Sequence, residues 1–139
     1  MRLSPGFRNA LYAIFAILFL SGATWLVADA LKDSANGELW QQIAATLLMT
    51  HGGSAMVTLM MLGALVPLHI RYGWRARKNL STGITMATAS AILIVTAFGL
   101  YYFGAEGARG VAGDVHTWLG VACPVLLLAH IWWGRRTAP

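Results

Sequence analysis

Charge and cysteine are both scarce in this chain. Its 139 residues include one cysteine, Cys123, five acids and four prolines, and only 11% of the sequence is charged. One cysteine excludes a disulfide framework and any cofactor attached through paired cysteines. Cys123 itself sits inside an apolar run and reads as a small packing residue. The acids Asp29, Asp33, Glu38, Glu106 and Asp114 all fall at the ends of apolar runs or between them. No carboxylate is therefore placed to complete a hard-metal or zinc shell within a run. The His-x-x-x-His spacing of zinc proteases is also missing. The net charge of +5 is confined to short stretches between or beside the runs, which excludes the basic face of a nucleic-acid-binding protein.

Apolar residues are abundant, at 58% of the chain. They gather in four runs, residues 10–30, 39–70, 80–103 and 111–133. Each meets the roughly 20 residues that a helix needs to cross the hydrocarbon core. The expected fold is an all-α, integral membrane four-helix bundle of up-down-up-down order, forming a single membrane domain over residues 1–139. Arg2 and Arg8 ahead of the first run, with Ala28-Asp29-Ala30 near its end, have the outline of a secretory signal. The run is longer than a signal core, and a retained first helix is expected.

Basic residues flank alternate ends of the runs. Arg2 and Arg8 precede the first, Arg71, Arg75, Arg77 and Lys78 follow the second, and Arg135 and Arg136 follow the fourth. The other two connections hold all five acids against Lys32 and Arg109. This bias predicts both termini on the cytoplasmic side. Trp25, Trp40, Trp118, Tyr101 and Tyr102 then fall near the outer interface, and Tyr12, Tyr72, Trp74, Trp132 and Trp133 near the inner one. The connections read as Leu31–Glu38 with an Asn36-Gly37 turn, a basic Arg71–Asn79 segment, and a glycine-rich Gly104–Gly113 segment. Gly52, Gly53, Gly63, Gly83, Gly99 and Gly120 suit close helix packing, and Gly52, Gly53 and Gly120 equally suit clearance for a flat macrocycle.

Four histidines carry the functional signal, because an ionisable side chain inside a span is costly. His51 and His69 lie in the second run, and His116 and His130 in the fourth. The 18 residues from His51 to His69 correspond to about 27 Å of rise and nearly whole turns in an unbroken α-helix. The 14 residues from His116 to His130 correspond to about 21 Å and about 40° off alignment. Measured from the inner ends of the runs, His51 and His116 stand at matching heights of about 28 and about 27 Å. His69 and His130 lie low and differ by about 4–5 Å, an offset that a tilt or a kink at Pro67 would absorb. The expectation is two haem groups, one held by His51 and His116 near the outer face and one by His69 and His130 near the inner face. Arg71 and Arg109 are candidate partners for the propionates. The methionines Met49, Met56, Met60, Met61 and Met86 read as packing or lipid-facing residues. The bland alternatives are interfacial placement for His69 and His130, and a helix-start role for His116 beside Asp114.

With four spans, the pair His51 and His69 with His116 and His130, and the phrases Pro67-Leu68-His69-Ile70 and His130-Ile131-Trp132-Trp133-Gly134-Arg135-Arg136, the chain resembles the small bacterial integral-membrane cytochromes b. These are di-haem four-helix proteins of the broad cytochrome b-561-like type. Unlike several such families, it has no histidine in the first run. The resemblance implies two non-covalent haem b groups, a place in the bacterial inner membrane, and electron transfer between quinones and a partner redox protein, periplasmic or membrane-bound. Without a large soluble domain, the chain is expected to act as a subunit or anchor, with lipid around it and no nucleic acid. Two other classes stay open: a single-haem or cofactor-free structural subunit, and a histidine-dependent metal or proton transporter. The topology has a direct check. In a Cys123→Ser background, a cysteine at Asn36 should react with an impermeant maleimide added outside intact cells, and one at Arg75 only after lysis. The opposite pattern would reverse the assigned orientation.

Overall fold

A computed structural model describes residues 3–77 and 79–136 of the chain; Arg2 and Lys78, assigned above to the basic flanks, lie outside the described residues. The described residues are almost entirely helical, with no strand among them. Four helical stretches, Pro5–Ala30, Gly37–Ala76, Leu80–Tyr102 and Glu106–Arg136, are long and apolar enough to cross a membrane. The chain is thus an all-α, multi-pass membrane protein. In hydrocarbon no water can serve the backbone, and a helix satisfies its N–H and C=O groups internally.

Helix α1, Pro5–Ala30, begins five residues before the apolar run because Ser4 caps it. The Ser4 hydroxyl accepts from the Phe7 N–H at 3.3 Å, and Pro5 supplies a first-turn residue with its φ already fixed. Beyond Ala30 the chain turns tightly. The Ser34 N–H donates to the Leu31 carbonyl, and the Gly37 N–H to the Ser34 carbonyl. A Cβ at Gly37 would overlap the Lys32 carbonyl oxygen, so glycine is required there. Lys32 also pairs with Asp29 at 3.0 Å, and that hydrogen bond holds the ammonium pKa above its ordinary value. The pair is exposed, so it contributes little to stability.

Helix α2, Gly37–Leu65, does not end where the apolar run ends. It passes through a π-helical turn, Val66–Ile70, into helix α3, Arg71–Ala76. Pro67 lies in this turn and has no N–H to donate, which favours the looser ladder. The Arg71 N–H reaches back five residues to the Val66 carbonyl. Most of the basic connection expected over Arg71–Asn79 is therefore helix. After α3, Arg77 and Asn79 are both left-handed, with φ of 49° and 53°.

Helix α4 is Leu80–Tyr102 and helix α5 is Glu106–Arg136. The glycine-rich connection expected over Gly104–Gly113 is corrected here: only residues 103–105 link α4 to α5. Gly107, Gly110 and Gly113 are helical, with Glu106 in the first turn where its charge suits the dipole. A Cβ at Gly113 would stand 3.6 Å from Leu100 Cδ2, an ordinary contact.

The chain divides into two compact units, Met1–Tyr72 and Gly73–Pro139. In the first, α1 packs antiparallel on α2; in the second, α4 packs antiparallel on α5. The buried residues are mostly small: Ser21 and Ala28 on α1, Ser54 and Thr58 on α2, Ala89 and Gly99 on α4, Ala112 and Cys123 on α5. Leu11 and Leu65 are the larger exceptions. Small side chains let membrane helices approach closely, where dispersion replaces the hydrophobic effect as the cohesive force. Many large side chains point outward, Met49, Trp118 and Tyr101 among them. The Gly37 contact yields a prediction. Gly37→Ala should destabilise the α1–α2 hairpin by about 1–3 kcal/mol through overpacking, read as a lower thermal midpoint in detergent. Gly6→Ala, at a position with no neighbour within 4 Å, should not lower it.

Candidate functional site

Each hairpin pairs a histidine-bearing helix with one that bears none. In the first, the half-buried His51 ring faces α1. Its Nδ1 lies 2.9 Å from the Leu18 carbonyl oxygen and 3.4 Å from Ser21 Oγ. A carbonyl can only accept, so Nδ1 carries the proton. The Ser21 hydroxyl donates to the Ile17 and Leu18 carbonyls at 2.7 and 3.0 Å, which leaves its lone pairs toward the ring. Gly22 makes room for the imidazole: a Cβ there would come within 2.8 Å of His51 Cε1.

The second hairpin repeats the arrangement. His116 Nδ1 lies 3.1 Å from the Leu93 carbonyl oxygen and 3.0 Å from Thr96 Oγ1. The Thr96 hydroxyl donates to the Ile92 carbonyl at 2.8 Å and contacts that of Leu93 at 3.2 Å. In both hairpins the opposing helix offers a carbonyl and, three residues on, a hydroxyl. His116 therefore does not serve a helix start, as its place after Asp114 suggests; it lies ten residues inside α5.

His130 is held differently. Asn79 Nδ2 donates to the His130 carbonyl at 3.1 Å. That carbonyl fixes which end of the amide is nitrogen, because oxygen there would face oxygen. Asn79 Oδ1 then accepts the Thr82 hydroxyl proton at 2.5 Å. The Thr82 oxygen, its proton committed, accepts from His130 Nδ1–H at 2.9 Å. Thr82 and Thr96 are 14 residues apart on α4, as are His116 and His130 on α5, so both rungs keep one antiparallel register. Gly83 lies beside the lower rung, its notional Cβ 3.8 Å from His130 Cε1.

His69 is exposed and lies in the π-helical turn. The 18-residue alignment with His51 assumed an unbroken α-helix. The π turn holds more backbone per revolution, so His69 falls behind that phase by up to about 100°. The register that sets His51 against Ser21 sets His69 against Leu3, ahead of the first turn of α1. Arg109 lies seven residues before His116 on α5, on nearly the same face and about 10 Å nearer the start of the helix. Arg71 follows His69 by two residues and projects from a different side of the helix. Both arginines are exposed.

His51, His116 and His130 thus each present Nδ1 to an oxygen acceptor, which places a proton on that nitrogen and makes Nε2 the ring nitrogen suited to ligation. That is the state in which histidine ligates a metal, with the other ring nitrogen donating to a carbonyl or similar acceptor. Among the described residues no three His, Cys, Asp or Glu side chains converge as a bare ion requires. Sequence reasoning placed the histidines but missed Ser21, Gly22, Asn79, Thr82 and Thr96; the equal 14-residue spacings of the threonines and histidines were the available signal. In comparisons with known proteins, no family model, no curated protein and no solved structure matches this chain. The Gly22 contact yields a test. Gly22→Val should displace His51, seen as a changed ¹⁵N resonance of its ring in the labelled protein, whereas Gly53→Ala, which meets nothing within 4 Å, should leave it in place.

Proposed function

We propose that this protein is a membrane-bound b-type cytochrome that carries electrons across or within the bilayer through two bis-histidine haems. The observation that supports it is the ligand-ready state of His51, His116 and His130, each with Nδ1–H bonded to an oxygen of the partner helix. His51 with His116, and His69 with His130, would hold the two groups, a pairing that rests on their heights along the sequence. Bound haem would supply a one-electron iron couple. The chain's part is to hold each ring in one orientation, within an apolar surround that disfavours loss of the flat, largely apolar macrocycle to water.

Arg109, on the face of His116, suits a propionate carboxylate at the outer end, and Arg71 is the corresponding candidate at the inner end. The acidic residues near the outer ends, Asp29, Asp33, Glu38, Glu106 and Asp114, suit a basic redox partner. Quinone is the expected small-molecule partner, and the bacterial inner membrane, with both termini cytoplasmic, the expected location.

The purified protein, reduced with dithionite, should show the sharp α-band of a b-type cytochrome, with two haems per chain by pyridine haemochrome assay. His51→Ala and His69→Ala should each lose about one haem. A colourless preparation from haem-sufficient cells would overturn the proposal in favour of a cofactor-free structural subunit.

A further inference from the structure

The three anchored histidines differ in what accepts their Nδ1 protons. For His51 and His116 a backbone carbonyl, of Leu18 or Leu93, accepts. A carbonyl cannot donate, so the tautomer is fixed whatever the neighbouring hydroxyl does. For His130 the acceptor is the Thr82 hydroxyl, and Asn79 Nδ2 stands 3.4 Å from the same ring nitrogen. An amide nitrogen can only donate. Two groups with opposite demands therefore face His130 Nδ1. The hydroxyl at 2.9 Å asks it to carry a proton; the amide at 3.4 Å asks it to accept one.

We propose that Thr82 and Asn79 are positioning residues that set where the proton of neutral His130 resides, with the Thr82 hydroxyl holding it on Nδ1. Asn79 commits the hydroxyl to this role, since its Oδ1 takes the Thr82 proton and leaves oxygen lone pairs for the ring. The cost of placing Asn79 in the left-handed region, at φ 53°, is offset by the two hydrogen bonds its side chain makes, to the His130 carbonyl and from the Thr82 hydroxyl. Without the hydroxyl, the Asn79 amide donor still faces Nδ1 and favours an unprotonated nitrogen there, and the proton moves to Nε2. An Nε2 that carries a proton has no lone pair for a metal. The inner ligand would then be lost through a tautomer change, with no change in net charge and no loss of the histidine itself.

The tautomer part of this inference stands without a cofactor; its consequence for haem rests on the function proposed above. The two are tested separately in the full-length protein in lipid nanodiscs. Ring ¹⁵N shifts of labelled histidine, read on haem-depleted protein, report the tautomer directly. Wild type should show Nδ1–H at His130. Thr82→Val, close to threonine in shape, should move His130 to Nε2–H, and Thr82→Ser should keep the wild-type form. Thr96→Val should leave His116 as Nδ1–H, because the Leu93 carbonyl remains.

On the loaded protein, haem content in Thr82→Val should fall from two per chain toward one, with recovery in Thr82→Ser. Should Thr82→Val fail to insert, Thr82→Ala gives the same comparison. An Nδ1–H signal that persists at His130 in Thr82→Val or Thr82→Ala would overturn the proposal. A tautomer that shifts as expected in a protein that never binds haem would uphold the positioning role and refute the cytochrome.

Discussion

The bond from a histidine Nδ1–H to an oxygen on the neighbouring helix organises each hairpin. Hydrocarbon supplies no water to an imidazole, so its polar atoms must be satisfied by protein. In an antiparallel helical pair the facing helix is the nearest source, but its carbonyls are already engaged in the α-ladder. Each keeps acceptor capacity beyond the ladder, and the Leu18 and Leu93 carbonyls accept the ring proton with it, alongside the contact from their own helix's hydroxyl. At the lower rung of α4 and α5 the partner helix has only just begun. There the Thr82 hydroxyl, steered by Asn79, does what a backbone carbonyl does higher up.

These bonds need close helices, and the small buried residues provide them. Ser21 lies in the contact surface of α1 and also faces His51, so one side chain serves both packing and the ring. Gly22 beside it removes the Cβ that would meet the imidazole. A polar rung between apolar helices fixes their register more sharply than leucine packing would, because sliding by one residue breaks the bond and leaves the ring unsatisfied. Two rungs 14 residues apart on both α4 and α5 fix that hairpin at two heights. In the first hairpin the corresponding lower position falls ahead of α1, and the α2 backbone there is a π turn around Pro67.

The four long helices were legible because the apolar runs are long and their flanks are charged. Element ends were less so. Glu106–Gly113 reads as a loop from its glycines, yet continuous backbone bonding carries the helix through them. Arg71–Ala76 reads as a polar connection, yet nothing there interrupts a helix already formed. The histidines stood out as rare polar residues in apolar runs. Their partners did not, because serine and threonine are common in these helices and usually bond their own backbone, as Thr46, Thr50 and Thr85 do. Only the facing helix distinguishes Thr82 and Thr96 from those.

Sequence alone determined that the chain is all-helical and membrane-embedded, and which side chains there could ligate a metal. Those properties follow from local composition: run length against bilayer thickness, and the cost of an imidazole in hydrocarbon. Tertiary structure decided which nitrogen of His51, His116 and His130 faces an acceptor and so holds a proton. That depends on whether the atom across the helix interface can accept or only donate, and on a register that no single helix contains.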